Sequence, residues 1–336
     1  MGQLRSSAIL ACVCGLFPWT SLAQTPHTTT LNLVMPNAKG RIIISTGEGV
    51  KWQRVNLYDD GTRPVFLVSN DGLKLNVSYI LFPNLTKSNS PNICRDDVLT
   101  AALRGLSPVP GFADTRNNKK AEVTLGNGSV LATGSYLVTN FGGTKVNDEN
   151  AFGVQASSTV CAEVHVSKTG FTPADEPILE AQVRSFHFEP EYEATSQDYY
   201  TLAAIFFRVM KDFASAAVYY QRSLDTLPAD APLKGRRVLV DQLAMSYGMS
   251  GDLRRSRSVN ETAIKSDPDY PLYYYNLACA DAEEGKAQAA KLHLQQAFDR
   301  KANTIPGEHL PDPTQDDSIQ KLEKNKEFWS WVQTLK

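Results

Sequence analysis

Two stretches of this chain superimpose at a spacing of 34 residues. Val240, Leu243, Ala244 and Tyr247 are followed by Gly251, and Tyr274, Leu277, Ala278 and Asp281 by Gly285. Five positions beyond each glycine stands a small residue, Ser256 and then Ala290. A fixed period of this length, with a bulky residue, a Leu-Ala pair and a loop glycine in register, describes a helical hairpin that buries its apolar face only by stacking on a neighbour. The C-terminal half is therefore expected to be an all-α hairpin array.

A first hairpin is read from Gln197, with Tyr200, Ala203, Ala204 and Phe207 on one helix face and Ala216, Tyr220 and Ser223 on the facing helix. Its distance to the next hairpin is longer by about six residues, around Ala231 to Arg236, flanked by Pro228 and Pro232. The second hairpin runs from about Arg237 to Tyr270, with Asp267-Pro268 near its end, because proline cannot continue a helix. The third runs from Pro271 to Ala302, which gives three repeats over residues 197–302. Small residues at Ala244, Ala278, Ala290 and Ala297 suit helices that approach to about 8 to 10 Å. Residues 303–336 follow as a Pro-rich loop and a closing helix, with Ile319, Leu322, Phe328, Trp331, Val332 and Leu335 to cover the last apolar face.

This pattern resembles the tetratricopeptide repeat (TPR), and the closing segment resembles the one found after Asn-Leu-Ala-Cys repeats in exported bacterial TPR proteins. The resemblance implies a groove lined by the first helix of each hairpin. The outward-facing residues would be Thr201, Ile205 and Arg208, then Asp241, Met245 and Met249, then Tyr275, Cys279 and Glu283. Asp241 and Tyr275 stand where a Lys/Asn clamp for a terminal carboxylate would be wanted, so that ligand class is disfavoured. Methionines and an aromatic suit a softer apolar peptide groove. The same residues could equally pack on neighbouring helices or on the first domain. The expected partner is a protein or peptide whose identity the sequence does not name.

At the N-terminus, Arg5 precedes an apolar run from Ala8 to Trp19 and the small-residue ending Ser21-Leu22-Ala23, the pattern of a secretory signal. Cleavage is expected before Gln24, so residues 1–23 leave and the protein is exported, periplasmic or secreted. No later stretch reaches about 18 uninterrupted apolar residues, so no integral membrane segment is expected. Losing Arg5 leaves 33 basic residues against 36 acidic ones, a net charge of about -3. Its basic doublets, Lys119-Lys120 and Arg254-Arg255, lack interleaved aromatics that could stack bases, which points away from nucleic acid.

Residues 24–40 read as an exposed arm. Residues 41–190 have the texture of short strands, each bounded by turn chemistry such as Asn70-Asp71-Gly72 and Gly126-Asn127-Gly128, which supply the positive φ values of tight hairpins. Candidates are Arg41–Ser45, Val50–Tyr58, Pro64–Ser69, Leu73–Leu81, Ala121–Leu125, Val130–Thr139, Ala151–Gln155 and Thr159–Val166. Two helices interrupt them, at about Asp96–Leu106 and Ala174–Phe186, with apolar stripes Val98, Leu99, Ala102, Leu103 and Ile178, Leu179, Val183, Phe186. The fold class expected for the whole chain is α+β: an antiparallel sheet with covering helices, then the hairpin array. Residues 40 to 188 resemble the PsbP-like sandwich domains of exported proteins, without a diagnostic motif. Around Glu189 to Ser196 the chain turns acidic and polar, and a domain boundary is placed there.

Three cysteines outlast the leader, and Cys94 and Cys161 share the first domain, so a disulfide between them is expected in an oxidising compartment. Cys279 sits among small residues on a helix, as a packed thiol. The five histidines show no metal-ligand spacing, and neither Thr46-Gly47-Glu48-Gly49 nor Phe141-Gly142-Gly143-Thr144 has the setting of a phosphate cradle. They read as hairpin turns, and no cofactor or metal is expected. Strand alternation puts Cys161, Glu163 and His165 on one face, the only constellation that could support nucleophilic catalysis. A disulfide at Cys161 would remove its nucleophile, so the chain is read as non-enzymatic. A rival reading makes the first domain a small-molecule or lipid carrier, which requires a pocket between sheet and helices. Four sequons, at Asn76, Asn84, Asn127 and Asn260, are read as incidental.

Overall fold

A computed structural model describes residues 29–46, 51–56, 65–70, 75–106 and 119–335. The signal pattern and the Thr46-to-Gly49 turn lie largely outside them. The chain divides into two compact units, one ending at Pro228 and the other beginning at Ala229.

The first unit holds two antiparallel sheets. One is three-stranded, in the order β1 (Thr29–Val34), β2 (Arg41–Thr46), β10 (His187–Glu189). The other is seven-stranded, in the order β3 (Lys51–Asn56), β4 (Val65–Asn70), β5 (Leu75–Pro83), β9 (Val160–Thr169), β8 (Thr144–Ala156), β7 (Val130–Phe141), β6 (Lys119–Thr124). Every pairing in it is antiparallel. The Phe141-to-Thr144 turn is the β7–β8 hairpin, with Gly142 and Gly143 both at positive φ.

Two helices cover this sheet. Helix α1 (Pro91–Leu106) packs Cys94, Leu99 and the half-buried Val98, Ala102 and Leu103 against Tyr136, Val138, Phe152, Val154 and Cys161. Cys94 and Cys161 are joined in a disulfide, their Cα atoms 5.9 Å apart. The helix starts five residues before the expected Asp96, because Pro91 is preorganised for a first helical position. Cys94 consequently sits inside it. Helix α2 (Glu176–Arg184) covers the opposite face, where Ala162, Val164 and Val166 are fully buried. Gly153 admits it: a Cβ there would meet Val183 Cγ1 at 2.8 Å.

Residues 29–34 are a strand and not the expected arm. Strand β1 pairs along its whole length with β2, and Leu31, Leu33 and Val34 are buried. Helix α3 (Ser196–Ala204), a π-helical turn (Ile205–Met210) and α4 (Phe213–Asp225) form the first hairpin, and it groups with the sheets, so the chain divides after Pro228 and not near Glu189. Tyr219 donates to the Val34 carbonyl at 2.8 Å, and Asn32 to Asp198 at 2.7 Å. Asp198 also accepts from Tyr192 and from both the hydroxyl and the amide of Thr195, and its own amide donates back to Thr195 Oγ1 at 3.3 Å, which completes a capping box for α3.

The second unit holds α5 (Leu233–Met249) with α6 (Leu253–Ser266), and α7 (Pro271–Glu283) with α8 (Ala287–Asp299). Their 34-residue register is visible atom by atom. Gly251 and Gly285 both take left-handed φ, 87° and 74°. The amide of Asp252 donates to Tyr247 O and that of Lys286 to Asp281 O, each at 2.8 Å, so equivalent carbonyls end the two first helices identically. Leu243, Ala244, Leu277, Ala278, Ser256 and Ala290 are all buried. The short helices α9 (Asp317–Gln320) and α10 (Lys326–Val332) close the unit, burying Ile319, Phe328 and Val332.

Candidate functional site

The face of α7 expected to line a groove carries Tyr275, Cys279 and Glu283, and the chain's own C-terminal segment lies on all three. The Tyr275 hydroxyl donates to Asp316 at 3.3 Å, and Cys279 Sγ is 3.7 Å from both oxygens of that carboxylate. Ser318 donates to Glu283 at 2.8 Å, and Lys321 forms an ion pair with it. One turn earlier the Tyr270 hydroxyl donates to Glu308 at 2.8 Å. Arg237 donates to the Asn303 carbonyl at 3.3 Å while its guanidinium holds Asp267 through two bonds of 2.7 and 2.8 Å. Burial raises the Asp316 carboxyl above its ordinary range, and Ile305 and Ile319 anchor the segment in apolar surroundings. Pro306, Pro311 and Pro313 keep residues 304–316 out of helix; the segment turns at Ile305–Glu308 and Asp312–Gln315, and Asp316 meets α7 as the N-cap of the helix Asp317–Gln320.

The remaining expected groove residues are distributed as follows. Asp241 is buried and accepts from Asn276 at 2.8 Å; desolvation pushes its carboxyl up to about 7. Tyr275 is buried as well, so neither presents an outward surface. Met245 is half-buried and Met249 is exposed. Thr201, Ile205 and Arg208 belong to the first unit; Thr201 and Ile205 are half-buried and Arg208 is exposed at the π-helical turn.

In the sheet unit, Cys161, Glu163 and His165 do share the face that α1 covers, as strand alternation requires, with Phe152 opposite His165 and Val154 opposite Glu163. Cys161 is in the disulfide, so it offers no thiolate. Burial pushes the Glu163 carboxyl up to about 8 and the His165 imidazole down to about 4, leaving both uncharged near neutral pH. His165 Nε2 lies 3.0 Å from Asn150 Oδ1, an acceptor, which fixes the proton on that nitrogen. Among the described residues no group of His, Cys, Asp and Glu side chains could hold a metal ion. Of the four sequons, Asn84 and Asn260 are buried and Asn76 and Asn127 exposed.

Two cavities of about 260 Å³ flank the sheet. One lies under α2 against β6 to β8, floored by Ala121, Val123, Ala151, Leu179 and Val183. Lys119–Glu176 and Arg184–Glu180 ion pairs, 3.0 and 2.6 Å, stand at its rim. The other lies on the opposite face around Tyr136 and Asp148. Sequence reasoning passed over it because β8 was expected to begin at Ala151. The strand begins at Thr144, and only then do Asp148 and Asn150 join the face of His165.

No family model matches the sequence, and no curated protein does. Among solved structures, the Sgt2 TPR domain from Aspergillus fumigatus is 19% identical over 40% of this chain and 79% of that one, with a TM-score of 0.30. A protein from Bacteroides thetaiotaomicron is 9% identical over 62% of this chain and 77% of that one, with a TM-score of 0.25. Both superpositions are too loose to bear on function.

Proposed function

We propose that the chain is a non-enzymatic, extracytoplasmic protein-interaction scaffold whose helical hairpins serve as a TPR groove for a protein or peptide partner. One observation carries this reading: α7 and its N-cap already hold a polypeptide segment in cis, with the Tyr270 and Tyr275 hydroxyls donating to that segment's carboxylates. A face that satisfies the polar side chains of one segment has the chemistry to hold those of another. Within this unit the open positions are Met245 and Met249, adaptable side chains suited to a partner of irregular shape. Tyr275, Cys279 and Glu283 are the positions that the cis segment occupies. The Cys94–Cys161 disulfide supports an oxidising compartment, and among the described residues no helix is long and apolar enough to cross a membrane.

Site-specific photo-crosslinking in the full-length protein tests the reading. A crosslinker at Met249 is expected to trap a defined partner that one at exposed Leu292, on α8, does not. Equal capture from both positions, or from neither, ends it. A second reading, a small-molecule carrier in the sheet unit, is favoured by the cavity under α2. Its volume lies just below the usual range of about 300 to 1,000 Å³. Narrowing the cavity with Ala151→Leu is expected to abolish co-purification of any apolar ligand, and an empty wild-type protein removes this reading.

A further inference from the structure

The cavity around Asp148 has an unusual charge pattern. Its walls are the rings of Tyr136 and Phe141 and the side chains of Val138 and Val146, and Phe141 is half-exposed at the mouth. Asp148 is the one formally charged residue in the lining, beside Asn150 and Thr169. Thr169 donates to its Oδ1 at 2.8 Å and Asn150 to its Oδ2 at 3.1 Å, so the carboxylate is held in place by neutral donors. Asn150 is itself fixed by His165, which is uncharged and offsets nothing.

Tyr136 supplies the second observation. It is 6% exposed, lines the cavity, and its hydroxyl has no hydrogen-bond partner among the described residues. A hydroxyl that opens onto a cavity without a partner in the chain is free to bond a group from outside it. Burial, and to a smaller degree the nearby Glu163 and Asp148, pushes the Tyr136 phenol up to about 12, so it stays un-ionised. An anion is disfavoured, because no lysine or arginine lines the cavity. A metal ion lacks the ligands it needs among the described residues. One carboxylate facing aromatic and aliphatic walls matches a small cation with an apolar stem, which gains both the charge pair and the ring faces.

We propose that this cavity binds a small aliphatic primary amine in its ammonium form. The ammonium donates to Asp148 and to the Tyr136 oxygen, and the stem lies along Val138, Val146 and the Phe141 ring. The site is independent of the hairpin groove.

Titration calorimetry of the full-length protein with n-butylammonium near neutral pH tests it. Saturable binding is expected in the wild type, at least a tenfold loss in Asp148→Asn, and a smaller loss in Tyr136→Phe. n-Butanol, which has the same stem without the charge, is expected not to bind. Tyr136→Phe keeps the ring and its packing on Phe152, and so covers the case in which Asp148→Asn fails to fold. Absence of saturable binding by a folded wild type overturns the proposal. So does amine binding that both substitutions leave unchanged, or binding of n-butanol or a neutral sugar as strong as that of the amine.

Discussion

The first helical hairpin and the two that follow share a turn and differ in allegiance. Each enters its second helix through a left-handed residue: Lys211, Gly251 and Gly285. Lys211 stands 40 residues before Gly251, six more than the period that separates the two glycines. The buried acids differ more. Asp198 of the first hairpin gathers donors from β1 and from the loop before α3, whereas Asp281 of the third accepts from Arg257 of α6 at 2.7 Å and pairs with His293 of α8 at 2.6 Å. Local pattern makes a hairpin, and the partners of its buried polar groups decide what the hairpin packs on.

If that contrast is right, the two units respond separately to substitution. The largest effect belongs to Cys94→Ser with Cys161→Ser, which opens a loop of 67 positions and is expected to cost about 4 kcal/mol. Calorimetry should show the transition of residues 29–228 moving down while that of 229–335 stays in place. A single transition that shifts as a whole would dissolve the distinction.

Next comes pH. Glu163 has its folded-state carboxyl raised by burial to about 8, so the folded unit holds that proton more tightly than the unfolded chain. The Glu163 contribution is lost as pH rises from about 4.5 to 8, while His165, held neutral by burial, adds stability from about 4 to 6.5, so the net loss of stability in the sheet unit falls mainly above about pH 6.5. Glu163→Gln should flatten this slope, and Asp241→Asn should do the same for the hairpin unit between about 4 and 7. Unfolding midpoints read across pH decide it, and slopes unchanged by the substitutions would contradict the assignment.

Asp198→Ala strips β1 and α3 of a shared acceptor and is expected to cost about 2 to 3 kcal/mol. The loss should appear in the sheet transition; movement of the other transition would return the first hairpin to the array. Smallest is Lys211→Gly, which relieves a φ of 55° and should stabilise the sheet unit by about 1 kcal/mol in denaturant titration.

Much of the hairpin architecture was legible because its signals are local. Gly251 and Gly285 mark turns whose hydrogen bonds span four or five residues, so spacing alone locates them. Thr29 to Val34 was misread as an arm, since a short Thr-rich segment becomes a strand only when β2 is beside it. Likewise, Tyr275, Cys279 and Glu283 share a helix face readable by period. That the face is covered depends on Asp316 and Ser318, 35 to 41 positions further on. The Tyr136 and Asp148 cavity was invisible for a related reason. Asp148, Asn150 and the polar run before Ala151 look like loop until strand pairing with Thr169 and Ser167 gives them a face.

By itself, then, the sequence determined which segments are helical hairpins, where they turn, and which two cysteines could meet, because those follow from periodicity, turn stereochemistry and compartment. The tertiary structure alone decided that the first hairpin joins the sheets, that the C-terminal segment lies on α7, and that a lone carboxylate faces an unpaired tyrosine. These depend on side chains brought together across tens of residues, where desolvation and hydrogen-bond satisfaction choose among partners that local spacing leaves equivalent.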